Sequence, residues 1–156
     1  MEFLFWHMNK SKITYSVLFV NSIRMTENFD AKKDEMAINK QKCVSFLSIS
    51  EKIRYVGIIN KFGRTITGKL KSGIRPLLTP EQARDERYIE STRQQLRKAL
   101  EVSIGKSIFT IEKNENVTFL LIPDKSKDNF YYMTLDKDTP LTEINDIINK
   151  MIEKID

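Results

Sequence analysis

Gly68-Lys69-Leu70-Lys71-Ser72-Gly73 carries two glycines at the spacing of a phosphate-cradling loop, so phosphate chemistry can be tested there directly. Such a loop must continue with Lys-Ser/Thr to reach phosphate and magnesium, and Ile74-Arg75 stands in that place, so the motif fails. Cys43 would need a base to act as a nucleophile, but the only histidine, His7, lies outside the folded region, and Cys43 reads as a small core residue. The same lack of histidine removes triad hydrolysis and histidine-based metal binding. One cysteine also excludes an intramolecular disulfide and a multi-cysteine zinc site. Carboxylate pairs such as Asp85-Glu86 and Asp136/Asp138 are present, but none is read in an apolar setting that would raise a pKa. The expectation is a non-enzymatic chain with no catalytic residues, no metal and no cofactor.

What remains is charge. From Lys52 to Pro80 there are seven basic residues and no acidic one, in a chain whose formal net charge is +5. From Glu112 to Asp156 six basic residues face ten acidic ones. The positive end falls on one stretch, 53–73, which nominates Arg54, Lys61, Phe62, Arg64, Lys69 and Lys71 as a binding surface. Such a surface suits an acidic protein partner. It also suits a nucleic-acid backbone, with Tyr55 or Phe62 to stack on a base, and the plain alternative to both is a solvated hairpin end. A small-ligand sensor is a third class, and it would show as a cavity between the sheet and the long helix.

The elements that must position these residues begin with a hairpin. Ile53, Tyr55, Val56, Ile58 and Ile59 are β-branched or aromatic without clean alternation, as in a central strand covered on both faces. Asn60-Lys61-Phe62-Gly63 supplies the turn, with Asn60 capping and Gly63 taking positive φ, and Gly68 and Gly73 punctuate the strand that resumes at Thr65. Upstream, Met36, Lys40, Cys43, Val44 and Leu47 suit an amphipathic helix ending near Ser48. Downstream, Thr79-Pro80-Glu81 opens a helix predicted to reach Ser103, with Gly105 just past it. Its residues Ile89, Thr92, Leu96, Ala99, Leu100 and Ser103 form one narrow stripe, while Arg84, Arg87 and Lys98 face the other way as a solvated, ion-paired side.

Three strands follow with short connections, at 106–113, 117–122 and 130–135, giving an antiparallel meander. Thr139-Pro140 then caps a last helix whose Leu141, Ile144, Ile147, Ile148, Met151, Ile152 and Ile155 make a broad apolar face. That face packs on the sheet or forms a helix–helix dimer seam. Size and composition suit one domain, residues 36–156, behind an N-terminal extension at 1–35 that is expected to be disordered or a mis-assigned start. Its apolar runs are too short to span a membrane, and with a lone cysteine the default compartment is the cytoplasm.

The order helix, hairpin, long helix, meander, helix resembles the roadblock and longin superfamily. In local wording, KIRYVGIINKFGRTITGKLKSGIRPLL, LRKALEVSIG and VTFLLIP resemble a thaumarchaeal domain-of-unknown-function family over about Lys42 to Ile155. The hairpin residues Ile53-Arg54, Gly57, Asn60-Lys61, Gly63-Arg64 and Gly68 carry most of that likeness. The resemblance implies an α+β fold with a five-stranded antiparallel sheet and helices packed on it, in the order α-β-β-α-β-β-β-α, roadblock/longin or profilin-like. It further implies an archaeal cytoplasmic protein, a homodimer, and regulation of a small GTPase or scaffolding of a complex by fold analogy; in the adaptor reading the sheet edge and first helix form the dimer.

Overall fold

A computed structural model describes residues 2–155, with side chains described for 24, 25 and 27–155. The chain divides into two compact units, 1–38 and 39–156. The described residues of the first, 2–38, are all part of helix α1 (Glu2–Leu47). Residues 2–35, within the extension expected to be disordered or a mis-assigned start, are helical in backbone, and no proline or glycine occurs before Gly57 to interrupt them. The side chains of Trp6 and His7 lie outside the described residues.

The second unit contains the end of α1, then β1 (Ile53–Asn60), β2 (Thr65–Leu70), α2 (Pro80–Arg97) and a 3-10 turn at Lys98–Leu100. The short α3 (Glu101–Ile104), β3 (Thr110–Lys113), β4 (Val117–Pro123), β5 (Asn129–Asp136) and α4 (Leu141–Ile155) complete it. The five strands form one antiparallel sheet in the order β2-β1-β5-β4-β3, the expected α+β architecture. The hairpin and the meander each supply one edge. The connection between them must therefore cross the whole sheet, and α2 makes that crossing.

Alternation in β1, β4 and β5 explains why the central strands show no polar face. Val56, Ile58, Leu120, Ile122, Tyr131, Met133 and Leu135 point to one side, and Ile59, Val117, Phe119, Leu121, Phe130 and Tyr132 to the other. A register shift between Ile53 and Tyr55 returns Ile53 to the first side. That side is covered by α4 through Ile144, Ile147, Ile148 and Met151, and by Cys43 and Phe46 of α1, so the amphipathic face of α4 packs on its own sheet. Phe46 meets Tyr131 edge-on, with ring centroids 5.2 Å apart. The α1 stripe differs from the expected one. Asn39, Cys43 and Phe46 are buried, while Met36 and Val44 are exposed, because the bulk of Phe46 takes the core position.

The second side lies under α2. The β1–β2 turn touches the helix so closely that a Cβ added to Gly63 would stand 2.7 Å from the Arg87 carbonyl oxygen. Gly63 also has φ +77°. Gly73 has a similar φ of +78° but open space around it. Gly68 does not end the strand as expected. It sits inside β2 opposite Gly57, and the Tyr55 ring lies over both glycines. At 106–109 the expected strand is absent, and β3 is confined to four residues.

The two turn glycines separate two costs. Gly73→Ala should destabilise by about 1–2 kcal/mol from backbone strain alone. Gly63→Ala should cost roughly 1–3 kcal/mol more by pushing α2 off the turn. Urea midpoints of the two variants, compared with the unaltered chain, check the order.

Candidate functional site

The hairpin is built as its residue types require. Asn60 Oδ1 accepts from the backbone N–H of Phe62 at 2.9 Å and of Arg64 at 3.0 Å. Its carbonyl accepts from Gly63 N–H at 2.9 Å, and its own N–H donates to the Arg64 carbonyl at 2.9 Å. This closed turn holds Phe62 in solvent at 59% exposure with the Lys61 ammonium 5.6 Å from its ring centroid.

The basic residues around it divide into two groups. Lys61 Nζ lies 3.1 Å from Asp128 on the β4–β5 loop, a carboxylate that also has Lys98 of the 3-10 turn at 3.5 Å. These two lysines hold the Asp128 carboxyl below its usual range, the hydrogen bond from Lys61 contributing most. Arg54 pairs with Asp136 at 2.9 Å and donates to the Arg75 carbonyl at 3.1 Å. Lys71 pairs with Glu51 and donates to its carbonyl at 2.7 Å. Arg64 and Lys69 have no ion pair among the described residues. Of the six residues expected to form a binding surface, Phe62, Arg64 and Lys69 stand in the open, while Arg54, Lys61 and Lys71 are ion-paired within the subunit.

Gly68 to Leu70 is edge strand, and the next helix begins only at Pro80, so the glycine pair cannot cradle phosphate. Cys43 is fully buried and burial pushes its thiol up to about 11, which keeps it protonated and unreactive at neutral pH. No group of three or more metal-ligating side chains is placed to hold an ion among the described residues.

Helix α2 departs most from its sequence pattern. Thr79 caps it with a full capping box, Gln82 answering through its side chain. Its buried residues are Glu90, Ser91 and Gln94, all polar. The helix is anchored by polar contacts: Gln94 donates to Thr110 Oγ1 at 2.9 Å, Gln95 to the Lys61 carbonyl, and Arg93 to Glu112 at 2.8 Å. The same Arg93 nitrogen lies 2.8 Å from Glu90 Oε1, an ion contact without hydrogen-bond geometry. Arg87, expected on the solvated side, is half-buried toward the sheet. The outward face carries Tyr88, Ile89, Leu96 (73% exposed) and Leu100, and the exposed apolar surface continues through Ile104, Ile108 and Phe109 toward the β3 edge. Helical spacing had shown this stripe, but only the sheet's position decides which way it points.

The inner face also holds two carboxylates: Glu86, expected outside any apolar setting but half-buried here, and Glu90, which the sequence did not single out. Burial pushes the Glu86 carboxyl up, and Glu90 and Glu112 nearby add to the rise. Glu90, 3% exposed, is raised by burial too, against the opposing pull of Arg93. The signal was the i, i+4 spacing of Glu86 and Glu90, opposite the apolar stripe.

No family model matches the chain, and no curated protein does. Solved structures do. The gliding protein MglB from Thermus thermophilus aligns with TM-score 0.60 and 14% identity over 78% of this chain and 86% of that one. A structure of MglB with tetrameric arrangement aligns at 0.61 and 13%, over 80% and 88%. A roadblock/LC7 domain from Streptomyces avermitilis aligns at 0.56 and 7%, over 74% and 92%. At these identities the likeness is one of fold, and the chain has the roadblock/longin architecture.

Glu86 and Glu90 bind their protons more tightly folded than unfolded. The stability they contribute is therefore full below the unfolded value near 4.5 and lost as pH rises through the folded one. Glu86→Gln should raise the urea midpoint at pH 7, and the gain over the unaltered chain should shrink toward zero by pH 4. An equal effect at both pH values would contradict the assignment.

Proposed function

We propose that the protein is a non-catalytic adaptor that works as a homodimer, with a second copy covering the outward face of α2 and the β3 edge. The carrying observation is the inverted helix: Tyr88, Ile89 and Leu96 face solvent while the buried residues, Glu90, Ser91 and Gln94, are polar and lie on an apolar sheet. An exposed apolar surface of this extent beside an unpaired strand edge is a protein-binding surface. A two-fold pairing satisfies both parts at once, since α2 can lie antiparallel on its copy while β3 extends the sheet into the partner. This moves the dimer seam from the first helix, whose Cys43 and Phe46 are committed to the subunit's own core, to α2. Self-association of a protein with this fold, in the tetrameric MglB arrangement, supports the reading.

The opposite edge of the sheet then remains for a partner. β2 exposes Thr65, Ile66 and Lys69, and the turn exposes Phe62 and Arg64. An acidic protein surface suits this edge, and by fold analogy with roadblock proteins that partner is a small GTPase. The wording of the hairpin supports an archaeal origin. A nucleic-acid reading draws less support, because Arg54, Lys61 and Lys71 already hold carboxylates within the subunit.

Light scattering on the full chain should give twice the monomer mass, and Ile89→Glu with Leu96→Glu should return it to the monomer without loss of secondary structure. A monodisperse monomer for the unaltered protein at high concentration overturns the proposal. Titration with a random oligonucleotide should show no binding at moderate salt. A steep salt slope abolished by Lys61→Glu with Arg64→Glu would replace the adaptor reading with the nucleic-acid one.

A further inference from the structure

Beneath the first turns of α2, on the side of the sheet away from α4, lies a cavity of about 360 Å³. Its floor is Tyr55, Val117, Phe119 and Tyr132 of the sheet, and its roof is the 76–78 segment that leads into the helix, with Ala83 and Arg87 of α2. The volume is at the lower end of the range for small-molecule sites, and the lining is mostly apolar with a few polar groups, as in such sites.

Arg87 gives the cavity its chemistry. Its Nε is buried without a hydrogen-bond partner, and its guanidinium has no ion pair among the described residues. Its charge bears on the Tyr55 and Tyr132 phenols of the cavity floor, opposing the rise that burial gives them. No acidic side chain lines the cavity, and Arg54 and Arg75 stand at the same site. Arg54 is already engaged by Asp136, whereas Arg75 is exposed and contributes only its carbonyl to a hydrogen bond. A buried guanidinium Nε–H without an acceptor is costly, and a carboxylate is the acceptor whose two oxygens match the fork that Nε shares with a neighbouring nitrogen. A phosphate carries more charge than a carboxylate, which the apolar floor of Val117 and Phe119 disfavours.

We propose that this cavity binds a small apolar carboxylic acid in its ionised form, the carboxylate on Arg87 and the hydrocarbon body on Val117, Phe119 and Tyr132. The site lies within one subunit. A ligand there bridges the roof segment, α2 and the sheet, and so bears on the placement of the helix that carries the dimer face.

Calorimetric titration of the full chain with 4-phenylbutyrate, and with 4-phenylbutan-1-ol as its uncharged counterpart, tests the assignment. The acid should bind once per subunit and at least roughly tenfold more tightly than the alcohol. Arg87→Gln should bring the acid to the affinity of the alcohol and leave the alcohol unchanged, a split that mere disturbance of the fold would not produce. The monomeric Ile89→Glu, Leu96→Glu chain should still bind the acid, which separates failure of this site from failure of the dimer. No heat with millimolar phenylbutyrate, equal affinities for acid and alcohol, or undiminished acid binding by folded Arg87→Gln each overturn the proposal. Should Arg87→Gln not fold, the acid–alcohol comparison on the unaltered protein decides.

Discussion

Both faces of this sheet are apolar, but only one is covered by an apolar helix. On the α4 side, Ile144, Ile147, Ile148 and Met151 meet Val56, Leu120, Met133 and Leu135, and burial of this kind is worth about 1.5–3 kcal/mol per large side chain. On the other side, α2 sets Glu90, Ser91 and Gln94 toward Phe119 and Tyr132. A helix placed that way is held by particular hydrogen bonds and ion contacts, to Thr110, to Glu112 and to the hairpin turn, in place of area. The rest of the molecule's surface character follows from this arrangement.

Three consequences share that origin. Polar anchoring underneath releases the apolar stripe of α2 to the outside, where it forms a surface suited to another protein. It sets carboxylates in surroundings that disfavour their charge, so the helix's seating is linked to proton concentration. It also leaves the space under the first turns of α2 incompletely filled, because Ala83 and Arg87 cannot occupy the room that large apolar residues would take. Dimer face, titrating carboxylates and cavity are thus properties of one helix lying on one sheet face. The hairpin is connected to them mechanically, since Gly63 abuts the helix backbone at Arg87 and Tyr88.

The charge distribution has a more local character than the bare sequence shows. Seven basic residues without an acid between Lys52 and Pro80 read as a single field. In the fold, β1 runs beside β5, and the loops that follow β1 and β4 lie near each other, so Asp136 and Asp128 arrive next to Arg54 and Lys61. Sequence segregation of charge became spatial neutralisation, and the groups left open are those on the solvent edge of β2 and at the tip of the turn.

Much of this architecture was legible in the residues themselves. Asn60 and Gly63 specified their turn, Thr79-Pro80 the start of α2, and the spacing from Ile144 to Met151 the covered face of α4, because each depends on contacts within a few positions of the chain. The sheet followed from the continuous apolar runs of β1 and β4, which only a doubly covered strand can bury. The direction in which α2 points, the acids that meet Lys61 and Arg54, the Gly57–Gly68 seat for Tyr55 and the cavity at Arg87 were decided by the tertiary structure alone. Each of these depends on which strands become neighbours, and pairing between residues as much as 82 positions apart leaves no periodic trace in the chain.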